Sequence, residues 1–82
     1  MEFKRNSSGY TTYTCEFKPI TCEYGRVYKF EVYKLGGQFV AYIHGTASNF
    51  DKKHKRTYLG AAYTLKEAKA IAEKCYSEIT RK

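Results

Sequence analysis

Residues 55–79 read Lys-Arg-Thr-Tyr-Leu-Gly-Ala-Ala-Tyr-Thr-Leu-Lys-Glu-Ala-Lys-Ala-Ile-Ala-Glu-Lys-Cys-Tyr-Ser-Glu-Ile, and this stretch decides the fold. It is a short strand, a glycine turn and an amphipathic helix. Thr64 is the helix start: its hydroxyl can accept the backbone N–H of Glu67, and Glu67 can reach back to the Thr64 N–H, the reciprocal pair of a capping box. Beyond it, Leu65, Ala68, Ala72, Cys75 and Ile79 recur at steps of three and four residues, flanked by Ile71 and Tyr76. That spacing draws one apolar stripe along a helix. Lys66, Lys69, Glu73 and Lys74 occupy the solvated side. The small residues Ala68, Ala72 and Cys75 let the helix approach its support closely, and the support is a sheet.

The sheet is written upstream. Arg26–Leu35 and Gln38–His44 flank Gly36-Gly37, a two-residue turn whose central positions can both take positive φ. If that turn sets the register, Lys34 faces Phe39, Tyr33 faces Val40, Val32 faces Ala41, Glu31 faces Tyr42, Phe30 faces Ile43 and Lys29 faces His44. The faces then separate by alternation. Phe30, Val32, Ala41, Ile43 and Phe39 form the apolar face, with Tyr28 at its far end. Lys29, Glu31, Tyr33, Val40, Tyr42 and His44 share the other. Arg56–Leu59 adds a strand whose Thr57 and Leu59 face the core and whose Arg56 and Tyr58 join Tyr42 outside. Residues 10–17, rich in β-formers, predict a further strand that Pro19 ends or marks as an edge. Residues 18–25 read as a connection, and residues 45–55 as a polar loop with a basic second half.

The expected fold is therefore α+β: a three- to four-stranded antiparallel sheet with one C-terminal helix packed on one face. Residues 1–9 form a flexible basic arm, and residues 10–82 a single ββββα domain. With 82 residues the chain has interior enough for one domain. No apolar run is long enough to span a membrane, and no secretory signal is visible at Met1–Gly9. Three cysteines without a Cys-x-x-Cys pair suggest free thiols in a reducing, cytoplasmic compartment. A zinc site from Cys15, Cys22, His44, His54 and Cys75 matches no common ligand spacing, so neither metal nor cofactor is expected. Catalytic motifs are absent: no phosphate-cradling glycine loop, no nucleophile with its base, no paired carboxylates.

One helix covers one side of a sheet, so the other side is left bare. On it stand Lys29, Tyr33, Tyr42, His44, Arg56 and Tyr58, bordered by Lys52, Lys53 and Lys55. With nine tyrosines, a net charge of +7 and a pI near 9.4, the chain suits a polyanion, nucleic acid being the commonest. Cations meet phosphates and guanine edges; aromatic rings stack on bases. Cross-strand Tyr and Lys pairs that merely stabilise an open sheet are the alternative.

Over residues 28–76 the chain resembles the plant AP2/ERF domain and the AP2-like domains of phage integrases and mobile-element endonucleases. The matching stretches are Gly37-Gln38-Phe39-Val40-Ala41-Tyr42-Ile43, Arg56-Thr57-Tyr58-Leu59-Gly60, and Tyr63-Thr64-Leu65-Lys66-Glu67-Ala68 through Tyr76. The resemblance implies a three-stranded sheet laid into the DNA major groove with the helix behind it. It places Arg56 at a DNA-contacting arginine, Tyr58 at the neighbouring tryptophan, and His44 at a basic position ending the second strand. Duplex DNA is thus the favoured partner. A small phage-type, anti-CRISPR-like inhibitor or adaptor that binds a protein or nucleoprotein complex through the same tyrosine-rich face is the second expectation. A double-stranded RNA module is a third, although residues 1–25 lack its N-terminal helix.

Overall fold

The computed structural model describes residues 1–6, 10–48 and 50–81. Five strands, β1 (Lys4–Asn6), β2 (Thr12–Cys22), β3 (Gly25–Leu35), β4 (Gln38–Thr46) and β5 (His54–Ala62), precede one helix, α1 (Leu65–Thr80). The strands form an antiparallel meander in the order β1-β2-β3-β4-β5. The class is α+β with the helix on one face, and the strand count is five rather than three to four. The fifth strand comes from Lys4–Asn6, which pairs with Thr12–Thr14 although those residues read as arm. Residues 7–9 of that arm, and Asn49 of the loop, lie outside the described residues.

The central hairpin follows the turn. Leu35 pairs with Gln38 around Gly36, whose φ is +62°, and the pairs from Lys34–Phe39 to Lys29–His44 match the register that Gly36-Gly37 implies. Irregularity then enters three times. Between Val27 and Lys29 the register shifts, so Val27, and not Tyr28, carries the core onward. Pro19, which has no N–H to give a ladder, sits in a shift between Glu16 and Ile20. The strand therefore runs on to Cys22, and only Glu23 and Tyr24 separate it from β3. In β5, Tyr58 pairs with Tyr42 and Gly60 with Ala41, leaving Leu59 as the extra residue. Such bulges bend a strand and add twist.

The helix begins as its cap dictates. Thr64 Oγ1 accepts the Glu67 N–H at 3.2 Å, and the Thr64 hydroxyl donates to Glu67 Oε1 at 2.9 Å, so the reciprocal contact runs through the hydroxyl. Ala68, Ala72, Cys75 and Ile79 are buried, as the stripe requires. They close over Val27, Phe30 and Ile43 at one end and Val32 and Ala41 at the other, with Leu59 and Phe3 touching both groups. Phe17 and Tyr76 add rings 5.3 Å apart at the side of this core. Gly60 lets the helix come down: a Cβ there would meet Ile71 Cδ1 at 3.2 Å. Among the described residues no element packs over the other face of the sheet.

Candidate nucleic-acid interface

Alternation from the buried residues assigns the bare face strand by strand. Since Ile43 and Phe30 face the helix, His44, Tyr42 and Val40 on β4 and Lys29, Glu31 and Tyr33 on β3 face away. Pairing of Arg56 with His44 and Tyr58 with Tyr42 adds β5 to the same surface. Val40 is buried there beside its partner Tyr33 and belongs to neither core group on the helix side.

Three contacts organise the surface. The Arg56 guanidinium lies 4.3 Å from the Tyr42 ring centroid, a cation–π contact. Tyr42 meets Tyr58 edge-on, with centroids 6.0 Å apart and planes at 69°. Tyr33 packs against Tyr10 at 5.4 Å, a partner that only the tertiary fold supplies. Tyr58 is 60 % exposed and Tyr10 70 %, so both phenols present their rings to solvent.

Beside them runs a polar chain. His44 Nε2 is 2.8 Å from Glu31 Oε1, and His44 Nδ1 is 2.9 Å from His54 Nε2, with the imidazoles stacked at 26°. An ionised carboxylate only accepts, so His44 carries its proton on Nε2. Its Nδ1 lone pair then accepts from His54 Nε2–H. Burial pushes His44 below the usual histidine range, Lys29 and His54 add to that, and the Glu31 carboxylate works against it. His44 is therefore neutral, 7 % exposed and occupied on both nitrogens. It orients His54, which is exposed, rather than reaching a ligand itself. Glu31 is taken up by this chain, and the two histidines lie ten residues apart on neighbouring strands, so alternation alone does not reveal their meeting.

The remaining expected cations divide. Lys29 is half-buried on the bare face, between Glu16 and His44. Lys52 and Lys53 are exposed at the β4–β5 loop. Lys55 pairs with Gly45, so it stands on the opposite surface from Arg56. No group of three or more His, Cys, Asp or Glu side chains among the described residues could hold a metal ion. A recess of about 610 Å³ at the far edge is lined by Glu2, Glu16, Phe17, Glu73 and Tyr76, an acidic rim that suits no polyanion. Likewise, no helix among the described residues is long and apolar enough to cross a membrane.

No family model matches the chain, and neither does any curated protein or solved structure.

Proposed function

We propose that this chain is a small nucleic-acid-binding protein that contacts DNA through the bare face of its sheet. The observation that carries the reading is the Arg56–Tyr42–Tyr58 group: a guanidinium over one ring and a second ring open beside it. Planar cations serve phosphates and guanine edges, and exposed rings serve bases or sugars. A sheet with a helix behind it is also the arrangement that the AP2-like resemblance implies for a strand surface in the major groove. The net charge of +7 supplies the long-range attraction. Free thiols at Cys15, Cys22 and Cys75 fit an intracellular setting, and no catalytic role is assigned.

The test is a titration of the full chain against labelled duplex DNA at several salt concentrations. Binding that weakens linearly in log–log form with salt is expected, with Arg56→Ala lowering the slope by about 1. Tyr58→Ala should weaken binding and leave the slope alone. Absence of binding in low salt to both duplex and single strands defeats the proposal.

A second reading rests on the same exposed phenols. Tyr and Arg are enriched where proteins meet, so the face also fits an inhibitor or adaptor docking on a protein, as small phage proteins do. Nuclease treatment separates the two: a partner retained by the chain after complete digestion of nucleic acid favours the protein reading.

A further inference from the structure

We infer that the β4–β5 hairpin tip is a second nucleic-acid contact, in which Phe50 stacks on an unstacked base. The inference rests on the DNA-binding reading and extends it to a part of the chain outside the sheet face. Phe50 is 96 % exposed, the most open of the exposed large apolar side chains, and unlike the exposed tyrosines it has no polar group to hydrate. Reversing a chain between two strands needs no aromatic, and what sets Phe50 apart from the other exposed apolar side chains is the run of basic residues that begins two positions after it.

Hydrogen bonds fix the backbone of the described tip residues on either side of Phe50. Ser48 Oγ accepts the N–H groups of Phe50 and Asp51, at 3.2 and 2.9 Å. The Asp51 carboxylate accepts the Lys53 N–H at 3.0 Å, and the Asp51 carbonyl accepts the Ser48 N–H at 3.3 Å. Ala47 N–H donates to Lys53 O at 3.3 Å, and the Thr46 hydroxyl to Ser48 O at 3.1 Å. The single acidic residue of the tip is thus used by the turn itself. The next five residues, Lys52, Lys53, His54, Lys55 and Arg56, are all basic. His54 and Arg56 lie on the bare face, so the tip is continuous with the proposed DNA surface.

An exposed aromatic flanked by ammonium groups is the composition that stacks bases and tracks their phosphates. A lone phenyl ring buries much less apolar area than a myristoyl chain, which by itself binds a membrane only marginally, so a lipid surface is the less favoured occupant. A base in an intact duplex is already stacked on both sides. The occupant is therefore a base freed from its stack, in a single strand or at a kink, where an apolar wedge is accommodated most cheaply.

The experiment compares one duplex with the same duplex carrying a single unpaired thymidine. The full chain should prefer the bulged duplex, and Phe50→Ala should lose about tenfold on it, little on the continuous one, with an unchanged salt slope. Phe50→Trp adds a reporter, because the chain has no tryptophan of its own. Its emission should fall as oligothymidylate binds, in step with the anisotropy of the labelled strand. Equal binding by Phe50→Ala and the parent chain, or anisotropy that rises while tryptophan emission stays constant, overturns the tip contact and leaves the sheet face standing. If the parent chain binds none of these probes, the sheet-face reading falls too. Emission that shifts only with vesicles of anionic phospholipid overturns the base in favour of a lipid surface.

Discussion

The Arg56 guanidinium carbon sits 4.3 Å from the centroid of Tyr42, on the sheet surface that α1 leaves uncovered. A guanidinium held over a ring is placed before any ligand arrives, and its planar fork of N–H donors can meet a phosphate or a guanine edge with two hydrogen bonds. Lysine keeps the charge and loses the plane. DNA affinity should therefore fall in the order parent, Arg56→Lys, Arg56→Ala. Both variants should stay within about 1 kcal/mol of the parent in urea unfolding, because exposed cation–π contacts are weak. Equal affinity of Arg56→Lys and the parent would reduce Arg56 to a point charge.

Glycines at the two ends of the β3–β4 pair should respond unequally to alanine. At Gly45 a Cβ would collide with the Arg26 carbonyl oxygen and lie 2.7 Å from Val27 Cα, both backbone atoms of the bulged strand. Nothing there can swing aside, so Gly45→Ala should cost about 1–3 kcal/mol or more in urea unfolding. At Gly37 nothing lies within 4 Å, and Gly37→Ala should be close to neutral. Loss of stability at Gly37 matching that at Gly45 would contradict the bulge geometry.

That bulge also marks where the sequence stops being readable. The Gly36-Gly37 turn and strict alternation are local signals, and they carry the register from Leu35–Gln38 to Lys29–His44 without error. The helix was equally legible, because Thr64, Glu67 and the Ala68–Ile79 stripe are set by spacing along one element. Alternation fails at Tyr28 and again after Leu59, which faces the core as its parity predicts while Gly60 beside it faces the helix too, so an extra residue is absorbed at each bulge. Lys4–Asn6 has three exposed residues and no apolar period, so nothing in it predicts pairing until β2 offers an edge. On the candidate face, Tyr42, Arg56 and Tyr58 were visible by parity. His54, Tyr10 and the supporting role of His44 required the strands to be placed side by side.

Thiol reactivity is set by burial. Removal from water pushes the Cys75 thiol up to about 11, with nearby Cys22, Glu78 and Glu23 adding to the effect. Thiolate is the reactive form, so Cys75 should resist alkylation at neutral pH. Cys15 is also buried, whereas Cys22 is half-exposed. Native protein treated with iodoacetamide should therefore be modified first at Cys22, with the other sites reacting after denaturation, as read by peptide mass mapping. Early labelling of Cys75 would mean that α1 opens readily from the sheet.

The Glu31–His44–His54 chain predicts how stability depends on pH. Burial, with Lys29 and His54, lowers His44 from its ordinary 6.5, against the pull of Glu31. The unfolded chain then takes up a proton at this position before the folded one does, so folding is favoured where the ring is neutral. The contribution is complete above about 6.5 and is lost as pH falls through the window between that value and the lowered folded one. Geometry acts in the same direction while His54 keeps its proton on Nε2: a proton added at His44 Nδ1 would then point at His54 Nε2–H, 2.9 Å away, and the hydrogen bond would survive only by a change of the His54 tautomer. Urea unfolding measured at intervals below pH 6.5 should show stability falling with pH in the parent chain and falling less steeply in His44→Gln. Glu31→Gln should lower the His44 titration further in an imidazole-detected NMR experiment, because the carboxylate is the group that raises it. A parent chain that gains stability as the pH drops through that window would show that His44 is charged in the fold, and the tautomer assigned to the chain would be wrong.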